Sequence, residues 1–127
     1  MMKKIVSTVE KTNTDYSAYA EDYPVFTVGD TISGLRINIM DAINTWFEHK
    51  QLPEITDEQI EIKLDIPQLF TYYKEINAKA ISKRIGMNES QLYQYVTGLK
   101  KPSPKQRTRI LDGIKSLGKE LVNLDLE

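Results

Sequence analysis

The spacing of apolar residues along this chain changes period twice before Pro67 and then stays helical to about Leu121. Ile5 to Glu10, Tyr16 to Ala20 and Val25 to Val28 are short alternating or β-branched runs. Turn-formers separate them: Thr12-Asn13-Thr14-Asp15 and the Asp22-Tyr23-Pro24 corner. They predict a three-stranded meander. From Ile32 the apolar positions take helical spacing, with Ile32, Leu35, Ile39, Ile43, Trp46 and Phe47 on one stripe and Asp30 or Thr31 as the cap. Ile60, Ile62, Leu64 and Ile66 then alternate with Glu61, Lys63 and Asp65, as in a strand with one wet face. The first domain, residues 1–66, is therefore expected to be βββαβ.

Everything between Pro67 and about Leu121 has helical spacing, so residues 67–127 are expected to form a second, all-α domain and the chain as a whole to be α+β. Pro67 to Tyr73 opens one helix, and Asn77 caps Ala78 to Ile85, which Gly86 stops. Asn88 caps a third from Glu89, with Gln91 placed to close a capping box, and Gly98 ends it. Ser103, Pro104 and Gln106 supply cap, first-turn proline and capping partner for a fourth, whose Ile110, Ile114, Leu117 and Leu121 share one face.

Charge is divided in the same way. Residues 1–78 hold 7 Lys and Arg against 13 Asp and Glu, residues 79–119 hold 10 against 2, and residues 120–127 hold 3 acids and no base. The net charge of −1 thus conceals segments of −6, +8 and −3. Such segregation predicts two surfaces with different partners, one of them a polyanion.

The absence of Cys and the single His49 take away the main support for thiolate chemistry, cysteine-ligated zinc and a Ser-His or Cys-His pair. Carboxylates that could serve a two-metal nuclease exist in Glu10, Asp15, Glu21, Asp22, Asp41 and Asp65. Most fall in turns or on the wet side of the pattern. No enzyme, cofactor or metal site is expected. Apolar runs are far shorter than the roughly 20 residues of a membrane span, so the expectation is a soluble, cytoplasmic protein.

Two short helices joined through Gly86-Met87-Asn88 predict a helix-turn-helix. Ile81, Ile85, Met87, Leu92 and Tyr95 would form its core. That leaves Asn88, Glu89, Ser90, Gln91, Tyr93, Gln94 and Thr97 for base edges and phosphates, since Gln pairs bidentately with adenine. Lys100, Lys101, Lys105, Arg107 and Arg109 would neutralise flanking phosphates.

Two family resemblances fall on these segments. Ala78 to Thr97, continuing into Gly98-Leu99-Lys100-Lys101-Pro102-Ser103, resembles the Xre/Cro type of helix-turn-helix. VEKTNTDYSAYAEDYPVFTVGDTISGLRINIMDAI resembles the N-terminal domain of HicB antitoxins, with Tyr16-Ser17-Ala18-Tyr19 and Gly29-Asp30-Thr31 at the matching places. The pair in this order resembles a HicB antitoxin with a C-terminal DNA-binding domain. The resemblance implies a partial ribonuclease H-like first domain, a HicA-like ribonuclease toxin as partner, and repression of the protein's own operon through operator double-stranded DNA. A toxin that grips RNA is basic, so an acidic first domain would steer to it. Tyr16, Tyr19, Glu21, Asp22 and Tyr23 are the candidate toxin contacts. The alternative is an orphan repressor whose first domain senses a ligand or oligomerises.

Repressors of this type read two half-sites, so a homodimer or higher oligomer is expected. Leu111, Val122, Leu124 and Leu126 lack an intramolecular partner in the pattern, and residues 121–127, LVNLDLE, alternate. That tail is expected to pair as a strand with a second chain.

Overall fold

The first alternating run forms strand β1, Ile5–Lys11, which buries Ile5, Ser7 and Val9 and turns Val6, Thr8 and Glu10 outward. The computed structural model describes residues 3–127 and resolves two compact units, Met1–Leu64 and Asp65–Glu127. Among the described residues the protein is mixed α+β, with one four-stranded sheet and five α-helices.

In the first unit β2 is Tyr16–Ala20, β3 is Phe26–Gly29 and β4 is Ile60–Lys63, in the order β3-β2-β1-β4. β1–β2 and β2–β3 are antiparallel; β1–β4 is parallel and therefore needs a long crossover. Helix α1, Ile32–His49, lies within that crossover. It buries Ile32, Leu35, Ile39, Ile43 and Phe47, five positions at helical spacing. Ile and Asn recur along α1, with Gly34 and Thr45 among them, and all are indifferent helix formers, so packing holds it: each buried apolar side chain contributes about 1.5–3 kcal/mol. Thr31 is the cap, its Oγ1 accepting from Gly34 N–H at 2.9 Å. Gly29 has a plain reason to be glycine, because a Cβ there would stand 2.8 Å from the backbone of Leu35.

The loop that returns to β4 is tied to α1 by polar side chains. Arg36 donates to Asp57 Oδ1 at 2.7 Å and to the carbonyls of Asp57 and Ile60 at 2.9 Å, and Asn44 Oδ1 accepts from Ile55 N–H at 2.8 Å. On the far side β3 is an edge strand. Ala20 N–H donates to Val25 O at 3.0 Å, so the alternating ladder turns the peptide groups of Phe26 and Val28 to the open edge. Asn38 Nδ2 donates to Val28 O at 2.8 Å and closes part of it.

The second unit begins two residues earlier than the pattern predicted. Alternation runs on through Ile66, but β4 stops at Lys63 and Asp65 caps helix α2, Ile66–Tyr72, accepting from Gln68 N–H at 2.7 Å. Ile66 is buried with Phe70, Ile81, Met87, Leu92, Tyr95 and Ile110 in the core of the second unit. Helices α3 (Ala78–Ile85), α4 (Glu89–Val96) and α5 (Pro104–Val122) complete it.

The tail departs most from expectation. α5 continues through Val122, so Leu121 and Val122 are helical, and residues 123–127 form no strand. Leu121, predicted in the bundle core, is 58% exposed. No helix among the described residues is long and apolar enough to cross a membrane.

Candidate nucleic-acid interface

Helices α3 and α4 are eight residues each and are joined by three residues. Isolated helices of that length are marginal in water, so their caps and their shared core must hold them. Asn77 Oδ1 accepts from Ala80 N–H at 3.0 Å, and Asn88 Oδ1 accepts from both Ser90 and Gln91 N–H at 2.9 and 3.2 Å. Each such cap contributes about 1 kcal/mol. Gly86 sits at φ +68°, a left-handed conformation that side chains disfavour, and Met87 N–H turns back to Ser82 O at 2.9 Å. The chain therefore reverses tightly, with the Met87 side chain buried beneath the turn.

A fourth element fixes this corner. Arg109 of α5 donates through Nη2 to the carbonyls of Ile85 and Gly86, both at 2.8 Å. The sequence pattern placed Arg109 among the phosphate-neutralising cations. Its guanidinium instead satisfies carbonyls that the end of α3 leaves open.

With Leu92 and Tyr95 turned into the core, α4 presents Glu89, Ser90, Tyr93 and Thr97 to solvent, and Tyr93 is 63% exposed. Gln91 and Gln94 are half-buried along the same helix. Gln91 does not close a capping box; its Nε2 donates to the hydroxyl of Tyr95 at 3.1 Å, which orients the amide. Thr97 Oγ1 donates to Tyr93 O at 3.0 Å. Lys100 and Lys101 in the following loop and Lys105 and Arg107 in the first turns of α5 are all exposed. Ser103 caps α5, accepting from Gln106 N–H at 3.2 Å, but Gln106 Oε1 accepts from Arg109 at 3.4 Å and does not return to the cap. The unit thus brings together a polar, partly aromatic helix face and four exposed cations on consecutive elements of one small fold.

The five candidate contacts in the first unit do not share a surface. Tyr19 and Glu21 are exposed, Tyr19 on the open face of the sheet opposite Thr8 and Phe26. Glu21 Oε1 accepts from Thr8 Oγ1 at 3.1 Å and from Lys63 Nζ at 3.2 Å. Asp22 is exposed in the turn. Tyr16, in contrast, is buried at 8% exposure with the Lys11 ammonium 4.8 Å above its ring, so it is a core residue and not a contact surface. Tyr23 packs against Trp46 and Phe47 of α1, ring centroids 5.3 and 5.1 Å apart. Sequence reasoning missed the apolar half of the open face: Phe26 and Val28 are 67% and 50% exposed beside Tyr19. Among the described residues no three acidic or His side chains gather where they could hold a metal ion.

No family model matches this chain, and no curated protein or solved structure is significantly similar to it.

Proposed function

We propose that the protein is a two-part repressor-antitoxin of the HicB kind, in which the second unit reads operator DNA as a helix-turn-helix and the first unit captures a basic, HicA-like ribonuclease toxin. The observation that carries the DNA half is the tight α3–α4 corner, capped at each helix start and latched by Arg109, with a hydrogen-bonding face on α4 beside Lys100, Lys101, Lys105 and Arg107. A helix so placed enters a major groove N-terminus first while the cations meet phosphates on either side. Glu89, Ser90, Gln91, Tyr93 and Gln94 are the residues assigned to base edges and sugar-phosphate; Asn88 works chiefly as the cap.

The toxin half rests on charge and on the open sheet face. Residues 1–64 hold 6 Lys and Arg against 11 Asp and Glu, a net −5, and Tyr19, Phe26 and Val28 offer apolar contact next to Glu21 and Asp22. Acidic surroundings speed the approach of a basic partner, and apolar contact slows its release. The experiment is an anisotropy titration of the whole protein against the DNA upstream of its own gene and against a scrambled duplex, paired with a growth-rescue assay against the neighbouring basic open reading frame. Salt-sensitive binding that prefers its own upstream DNA, together with rescue, is the expected result. Equal affinity for both duplexes would remove the operator reading, and growth arrest despite expression would remove the antitoxin reading.

A further inference from the structure

Helix α5 has two glycines in its interior, and their surroundings differ. A Cβ on Gly113 would come 2.2 Å from Ile85 Cγ2, so that glycine is required by the close approach of α3. A Cβ on Gly118 would meet no heavy atom within 4 Å. Glycine inside an exposed helix is weaker than alanine, and no contact within the chain accounts for it.

The surface around Gly118 is aliphatic. On its stripe of α5 lie Leu111 seven residues before and Leu121 and Val122 three and four residues after, exposed at 43%, 58% and 84%; Leu124 and Leu126 follow at 67% and 95%. Scattered exposed leucines are ordinary, but a run of this kind on one helix and its extension marks an interaction surface. The charges along the same segment are polar in the axial sense. Residues 104–119 hold five bases and one acid, and residues 120–127 hold three acids and no base.

We infer that α5 pairs antiparallel with α5 of a second copy, the two helices crossing at Gly118. The missing side chain lets the backbones approach as closely as Gly113 lets α5 approach α3. At about 1.5 Å per residue Leu111 lies roughly 10 Å from the crossing. The antiparallel sense therefore carries Leu111 to the end of the partner's α5, where the segment bearing the partner's Leu124 and the partner's Leu126 begins, and leaves Leu121 and Val122 within about one turn of the crossing on both copies. It also sets the basic stretch of one copy alongside the acidic end of the other, whereas a parallel pair would set base against base and acid against acid. The occupant of this surface is a second copy because the segment complements itself in both apolar pattern and charge, as an isologous contact must. The inference concerns self-association and stands whether or not α4 meets DNA.

Because the chain has no Cys, single-cysteine variants report the geometry directly. Under oxidised glutathione, Gly118→Cys is expected to form a disulfide-linked dimer and Leu126→Cys to remain largely unlinked. In sedimentation the unmodified protein is expected to be a dimer. Gly118→Met, whose Cβ meets no heavy atom within 4 Å in its own chain, is expected to weaken self-association about tenfold or more, the effect of losing roughly 1.4 kcal/mol of contact, while its circular dichroism stays native. A monomer at every concentration, a dimer that Gly118→Met leaves intact, or stronger linkage through Leu126→Cys than through Gly118→Cys would each overturn the inference.

Discussion

Arg109 of α5 holds the carbonyl of Gly86 at 2.8 Å, joining the last helix to the one left-handed residue on which the α3–α4 reversal turns. Two charge-assisted bonds at a helix end place that reversal under the control of a residue more than twenty positions away in sequence. Arg109→Gln should therefore lower unfolding stability by about 1–2 kcal/mol, discounted from a buried case because the side chain is exposed. Chemical denaturation with an unchanged m-value would measure it; a loss confined to DNA affinity, with stability intact, would return Arg109 to the role of phosphate contact.

Gln94→Ala and Lys101→Ala should separate base reading from phosphate contact. Removing Gln94 is expected to weaken binding to the cognate duplex by about 1–3 kcal/mol while sparing random DNA. Removing Lys101 should weaken both and reduce the slope of log affinity against log salt by about one. Anisotropy titrations at several salt concentrations check both expectations.

Tyr16 and Tyr19 should behave as opposites although they lie in one five-residue strand. Tyr16→Ala empties a core site and should destabilise the first unit by about 3–5 kcal/mol. Tyr19→Ala should leave the melting temperature nearly unchanged and weaken capture of the toxin. Thermal melts and calorimetric titration with the toxin distinguish the two residues.

Ser7 is 1% exposed and its hydroxyl finds no hydrogen-bond partner among the described residues, so its burial in the sheet is uncompensated. Ser7→Ala keeps the shape, removes an unsatisfied group and should stabilise the protein by about 1 kcal/mol. A loss of stability in denaturant titration would show that the hydroxyl is satisfied in solution.

Residues 1–64, not 1–66, are the fragment to test for toxin neutralisation. Ile66 belongs to the core of the second unit and would be an exposed apolar end on the first. A cooperative melt of that fragment with growth rescue is the expected outcome, and a folded fragment without rescue would move the neutralising surface elsewhere.

Much of the fold was legible because the decisive signals are local. Thr31, Asn77, Asn88 and Ser103 each cap a helix through a bond three residues long or shorter, and strand alternation marks Ile5, Ser7 and Val9 as one face. Ile66 was misread because alternation and the start of α2 overlap: one residue can satisfy both patterns, and only the Asp65 cap tells them apart. Leu121 was misread for a reason of length. α3 has eight residues against nineteen in α5, so a helix of about 12 Å cannot cover one of about 28 Å, and the apolar stripe runs past its cover. The candidate site was less legible. Tyr16 and Tyr19 were grouped by sequence proximity, yet residues three apart in a strand point to opposite faces, a signal that was present and outweighed by the motif. Arg109 could not be placed, since no local rule connects it to Gly86.

The Asn38 amide on Val28 O has a consequence for the fate of the chain in a crowded cell. An open strand bearing Phe26 and Val28 is the kind of template on which copies add one after another into insoluble ribbons. By occupying a carbonyl that an incoming strand would need, Asn38 interrupts the register at the growing end. Replacing Asn38 with leucine would free that carbonyl, and the expected outcome is a protein that precipitates at lower concentration than the original.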